Sequence, residues 1–124
     1  MLRFANPARF MRMSAKVLPW CAGATALCLG GGLVLALFVS PPDYQQGEAV
    51  RIMYVHVPAA YMATLVYAVM AIASAVALIW RHPLADIAAQ EAAPIGAGFT
   101  LICLVAGSLW GEPMWGTWWV WDAR

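Results

Sequence analysis

Residues 17–38 read VLPWCAGATALCLGGGLVLALF, without a single charged side chain. Wound as a helix, the stretch is about 33 Å long and matches the ~30 Å hydrocarbon core of a bilayer. Composition agrees with that reading. Of 124 residues, 64% are hydrophobic and 10% charged, whereas about a quarter of a soluble domain is charged. Seven basic and six acidic residues cannot solvate a globule this apolar; lipid can. The net charge of +1 excludes the strong basic bias of a nucleic-acid binder.

Arg3, Arg9, Arg12 and Lys16 precede the run. A secretory signal peptide shares that layout, but its apolar core is only about 7–15 residues long and a small-residue cleavage site follows. Here Ser40-Pro41-Pro42 follows, and a retained helix is expected. Ala22, Ala26 and Gly30 recur every four residues, a stripe on which another helix can pack closely. Gly30-Gly31-Gly32 weakens a helix in water, but inside a bilayer unmade backbone bonds would cost more, so the helix should persist.

Two further apolar runs lie downstream. A polar loop from Ser40 to about Val57 leads to Pro58–Trp80, with Pro58 expected at the first helical position, where its missing N–H costs nothing. Arg81-His82-Pro83 ends that helix. A connection from Leu84 to Glu91 leads to the third run, Ala92–Gly111, with Pro94 in its first turn and a second small-residue stripe at Ala92, Gly96 and Thr100. The expected fold is an all-α integral membrane protein with three transmembrane helices, about 17–38, 58–80 and 92–111, plus a Trp-rich amphipathic segment. Lysine and arginine mark the cytoplasmic side. The N-terminal arm and the Arg81 turn carry five cations between them; the 40–57 loop and the tail carry Arg51 and Arg124. The N-terminus is therefore expected in the cytoplasm, with the His56 loop and the tail outside.

Cys21, Cys28 and Cys103 all fall in apolar runs, with no CxxC pair and no CxxCH haem-attachment site. They read as small buried hydrophobes. No HExxH, P-loop or GxSxG motif occurs, and no nucleophile has a partner histidine. The tail is different. Trp110, Trp115, Trp118, Trp119 and Trp121 crowd together. An interfacial belt needs one or two anchors per helix end, which explains Trp110 and leaves four rings over. If the tail is helical, Trp115, Trp118, Trp119 and Asp122 share one arc of about 100°. That makes an aromatic shelf around a carboxylate, suited to a large, flat, apolar ligand. Physics alone leaves ligand binding and anchoring side by side. His56, two residues before Pro58, sits where a helix dipole would favour the neutral, metal-ligating imidazole, although a lone interfacial histidine is more often a hydrogen-bonded surface residue. Arg51 and Arg124 read as headgroup or solvent contacts, with a ligand carboxylate as the functional alternative. His82 reads as a helix-end residue.

Three stretches together carry a resemblance. They are Asp43-Tyr44-Gln45-Gln46-Gly47 continuing through Arg51-Ile52-Met53-Tyr54-Val55-His56-Val57-Pro58-Ala59-Ala60; Ala93-Pro94-Ile95-Gly96; and Trp115 to Arg124, with its Trp-Gly-x-x-Trp-x-Trp-Asp pattern. The chain resembles haem exporter protein C (CcmC-type) of bacterial cytochrome c maturation, within the wider WWD-domain haem-handling family. The resemblance implies a six-helix bundle in the bacterial inner membrane, holding haem b non-covalently and transiently at the periplasmic face between two axial histidines. It further implies delivery to a periplasmic haem chaperone, with a small single-helix membrane partner and ATP-binding-cassette subunits in the same system. By position, His56 matches the first axial ligand, and Trp115, Gly116, Trp118, Trp119, Trp121 and Asp122 match the haem-binding loop, which begins in residues 112–124. Arg51 and Arg124 are candidate propionate contacts. On that resemblance residues 1–124 correspond to the N-terminal half, without the second axial histidine, and no catalysis is expected of them. The rivals are a cytochrome c haem lyase, which also bears a WWD loop, and a structural subunit whose tryptophans are only anchors.

Overall fold

The computed structural model describes residues 6–121. It contains α1 (Pro7–Val34) closed by a π-helical turn (Leu35–Val39), α2 (Val50–Trp80) and α3 (Pro83–Trp115). All three helices are long and apolar enough to cross a bilayer, and the chain is an all-α membrane protein as its composition requires.

Each helix is longer than its uncharged run. α1 starts at Pro7 because Asn6 caps it: Asn6 Oδ1 accepts from the backbone N–H of Ala8 at 3.0 Å and of Arg9 at 3.4 Å. Asparagine at the cap followed by proline at the first helical position is a strong start signal. Arg9, Arg12 and Lys16 thus stand on the helix itself, ahead of its apolar part. At the other end, Ser40 N–H donates to Leu35 O at 2.8 Å and closes the π turn.

The expected 40–57 loop is shorter than its polarity suggested. Asp43 and Gly47 exchange backbone hydrogen bonds of 3.1 and 2.9 Å, and Asp43 Oδ1 accepts from the N–H groups of Gln45 and Gln46 at 2.9 and 2.8 Å. Gly47 takes φ +57° in this turn, a conformation that favours glycine. The N–H donors of Gln46, then of Gln45, hold the Asp43 carboxyl below the usual carboxylate range. From Val50 onward the chain is already helical. Pro58 therefore lies inside α2, not at its start, and the placement of the boundary there is corrected. Proline in a helix interior lacks the N–H that would bond the carbonyl four residues earlier, here that of Tyr54.

The expected 84–91 connection is also helical. α2 ends on Arg81 in the left-handed region (φ 49°), His82 takes an extended conformation, and Pro83 opens α3. Pro83 at the first helical position and Asp86 in the first turn are both helix-start signals. Pro94, expected in the first turn, is accordingly interior, as is Pro113.

α2 and α3 form the packed unit. Ala59 and Val66 of α2 and Ala106 and Gly111 of α3 are buried. The α3 stripe is used at Gly96, where a Cβ would lie 3.1 Å from Val66 Cγ1. The α1 stripe is not: a Cβ at Gly30 would meet nothing within 4 Å among the described residues. α1 instead leans away and leaves an apolar cavity of about 960 Å³, lined by Cys28, Leu29 and Gly32 on one side and Tyr54, Pro58 and Phe99 on the other. Cys21 and Cys28 are exposed and Cys103 is half-buried. The first two are thus not the buried hydrophobes expected, because α1 has few neighbours to bury them.

Candidate functional site

His56 stands seven residues into α2, so the dipole of the first turn, which fades within that turn, does not govern it. A hydrogen bond does. His56 Nδ1 lies 3.0 Å from the backbone carbonyl of Cys103 on α3. A carbonyl only accepts, so Nδ1 carries a proton, and in the neutral ring the lone pair falls on Nε2. The Cys103 thiol is 3.9 Å from the same nitrogen, a weaker partner than the carbonyl. One turn further along α3, Gly107 abuts the ring: a Cβ there would lie 3.0 Å from Cε1 and 3.4 Å from Nδ1. His56 is half-buried in this contact, and Nε2 makes no hydrogen bond among the described residues.

The same end of the hairpin carries the tryptophans. Trp110 Nε1 donates to Gln46 Oε1 at 3.0 Å, tying α3 to the Asp43–Gly47 turn. Trp110 and Trp115 meet edge to face, centroids 4.9 Å apart at 85°. α3 stops at Trp115 because Gly116 takes φ 75° and its N–H donates back to Glu112 O at 2.8 Å, a glycine C-terminal cap. The chain then folds over the helix end, bringing Thr117 O within 3.3 Å of where a Gly111 Cβ would stand. Thr117 Oγ1 donates to Trp119 O at 3.2 Å, and Trp119 packs edge to face on Trp121 at 5.5 Å.

The helical shelf is corrected by this geometry, since no helix follows Gly116 among the described residues. Trp115, Trp118, Trp119 and Trp121 are exposed all the same, Trp121 at 92%. Asp122 and Arg124 lie outside the described residues. Arg51 is turned toward the loop: Nη1 donates to Leu37 O at 2.7 Å and Nη2 to Ser40 O at 3.1 Å, and Nε lies 2.9 Å from Glu48 Oε2 without hydrogen-bond geometry. It satisfies carbonyls that the end of α1 leaves unpaired. His82 is at the far end of the hairpin, at the start of α3, a helix-end residue as expected. Among the described residues no three His, Cys, Asp or Glu side chains converge as a metal-ion cluster. Sequence reasoning missed three members of this end of the molecule: the Cys103 carbonyl, Gly107 and Gln46. A backbone carbonyl has no signature in sequence, and the four-residue spacing of Cys103 and Gly107 gains meaning only once α2 is laid beside α3.

The family model described as heme exporter protein C matches residues 1–124. Relatives of that name include those of Bradyrhizobium diazoefficiens, 56% identical over 124 residues, and Paracoccus denitrificans, 50% identical over 121. The relative from Escherichia coli K12 is 48% identical over 122 residues. These alignments cover 100%, 98% and 98% of the chain and 47%, 50% and 50% of the respective relatives, so the chain spans about half the length of the curated relatives it matches. With every described helix and the His56 end of the hairpin inside the matched span, the chain belongs to the heme exporter protein C family.

Proposed function

We propose that the chain forms the N-terminal half of a haem-delivery subunit of cytochrome c maturation. It binds haem b, non-covalently and transiently, at the periplasmic face of the bacterial inner membrane and passes it to a periplasmic haem chaperone. A small single-helix partner and ATP-binding-cassette subunits belong to the same system. The observation that carries the reading is the His56–Cys103 hydrogen bond. It places a proton on Nδ1, so that the neutral ring presents Nε2 as the atom free to ligate iron, and it supplies the outer-shell partner that ligating histidines require. The relatives' name, heme exporter, supports the choice of cargo.

In this reading His56 gives one axial bond. Trp115, Trp118, Trp119 and Trp121 cover the porphyrin by apolar contact and stacking, on a loop turned by Gly116 and continued by Asp122. Arg51 retains unengaged N–H groups on Nη1 and Nη2, and these, with Arg124, meet the propionates. A second axial donor comes from outside these residues, because His82 sits at the opposite end of α2. The job is cargo binding and transfer: the axial bond forms and is released, and no covalent chemistry is done by this chain.

The test is a chimera in which residues 1–124 replace the matching half of the Bradyrhizobium diazoefficiens relative. Purified from haem-supplied membranes, it should carry a low-spin haem band that His56→Ala abolishes or converts to high spin. An unchanged band in the variant would refute the ligand assignment, and a chimera without haem would return the tryptophans to the anchor reading.

A further inference from the structure

Gly107 interrupts the interior of a transmembrane helix, where glycine weakens the helix relative to alanine and calls for a packing reason. Neighbouring glycines differ. A Cβ at Gly98 would meet nothing within 4 Å, and one at Gly96, though nearly as crowded at 3.1 Å from Val66 Cγ1, would meet only the apolar side chains of Val66 and Met70. A Cβ at Gly107 would instead strike the His56 ring, 3.0 Å from Cε1. Ring atoms are not the far end of a flexible chain, so the imidazole or the helix would have to shift.

That shift has one main victim. Cys103 O and Gly107 are four residues apart on α3, so the carbonyl already accepts the Gly107 N–H in the helical ladder and offers His56 its remaining lone pair. The imidazole reaches that lone pair at 3.0 Å only by lying in the hollow that the missing side chain leaves. We infer that Gly107 is a positioning residue: its hollow and the Cys103 carbonyl together hold His56 as the Nδ1–H tautomer and fix Nε2 as the donor atom. The tautomer follows from geometry alone, and its use for haem rests on the function proposed above.

The test starts without haem. The chain is labelled with 15N-histidine and reconstituted in phosphatidylcholine nanodiscs, where His56 and His82 are told apart with a His82→Gln variant. At a pH where the 15N shifts show the ring to be neutral, the 15N pair of His56 should show the proton on Nδ1 and a bare Nε2. Gly107→Ala should move the proton or mix the tautomers, whereas Gly98→Ala, equally a glycine-to-alanine change on α3, should leave the spectrum unaltered. A proton on Nε2 in the unaltered chain overturns the inference whatever the variants do, and so does an unchanged His56 spectrum in Gly107→Ala. In the chimera, Gly107→Ala should weaken haem binding about ten-fold or more, the usual effect of disturbing an outer-shell partner, and Gly98→Ala should not. If His56→Ala leaves haem untouched while the Nδ1–H tautomer is found, the haem reading fails and the positioning of the ring stands.

Discussion

Replacing Trp110 with phenylalanine removes one N–H and keeps most of the ring. The lost bond, Trp110 Nε1 to Gln46 Oε1 at 3.0 Å, spans 64 residues and is part-buried. It is the tie between the end of α3 and the turn that precedes α2. A neutral hydrogen bond of this kind contributes about 0.5–1.5 kcal/mol net, because water can take over the exposed side of the acceptor. Phenylalanine keeps the edge-to-face contact with Trp115, so the change isolates the bond from the packing. A loss of about 1 kcal/mol, with RT near 0.59, shifts the latched-to-unlatched ratio about five-fold. Amide exchange of Gly47, whose N–H is held by Asp43 O at 2.9 Å, reads that ratio in nanodiscs. Gln46→Leu should give a similar loss, and the double variant little more than either, since both singles break one bond. Additive losses in the double variant, or a Gly47 protection unchanged in Trp110→Phe, would refute the latch.

Three more outcomes are expected. Alkaline phosphatase fused at Gln46 should be active and fused at Asp86 silent, because the arm and the Arg81 turn hold most of the cations; the reverse pattern would invert the molecule. The Asp43 carboxylate, held low by the N–H groups of Gln46 and Gln45, adds loop stability that is fully present above the unfolded value of about 3.9. That contribution is lost as pH falls through the lower folded value, so Gly47 exchange, corrected for its intrinsic pH dependence, should accelerate there and Asp43→Asn should show no such step. In the chimera, Trp118→Ala with Trp119→Ala should lower haem retention several-fold, each ring contributing about 0.5–1.5 kcal/mol beyond area burial; unchanged haem content would leave the two as anchors.

The number and class of helices were legible because an uncharged run of bilayer length admits few alternatives. Their ends were not. Pro58 and the polar residues before it read as a boundary, yet Val50 to Val57 continue the helix, because a bilayer-anchored α2 tolerates one missing bond where an isolated helix would break. Asp86 and Glu91 read as a connection, yet both lie on α3, because an exposed charge near a helix start does not interrupt the backbone ladder. The family was legible from the His56 block and the Trp115–Asp122 pattern, and the match over residues 1–124 agrees with it. The shelf that a helical tail would make of Trp115, Trp118 and Trp119 does not form, because Gly116 takes the left-handed cap that ends α3. The environment of His56 was illegible altogether, for it depends on a backbone atom of another helix.

Pro58 gives α2 a mechanical property that its length conceals. The Tyr54 carbonyl has lost its ladder donor two residues from His56, so the first turns of α2 are joined to the membrane-anchored shaft by a soft joint. On such a lever, small rotations at the joint become larger displacements at Val50 and at the loop beyond it. The hydrogen bond to Cys103 clamps the lever next to its pivot, where the motion is smallest, and the Gln46–Trp110 tie clamps it near the tip. A helix end held at both points is stiff; released at the tip alone, it can swing the Asp43–Gly47 turn while the imidazole stays in place.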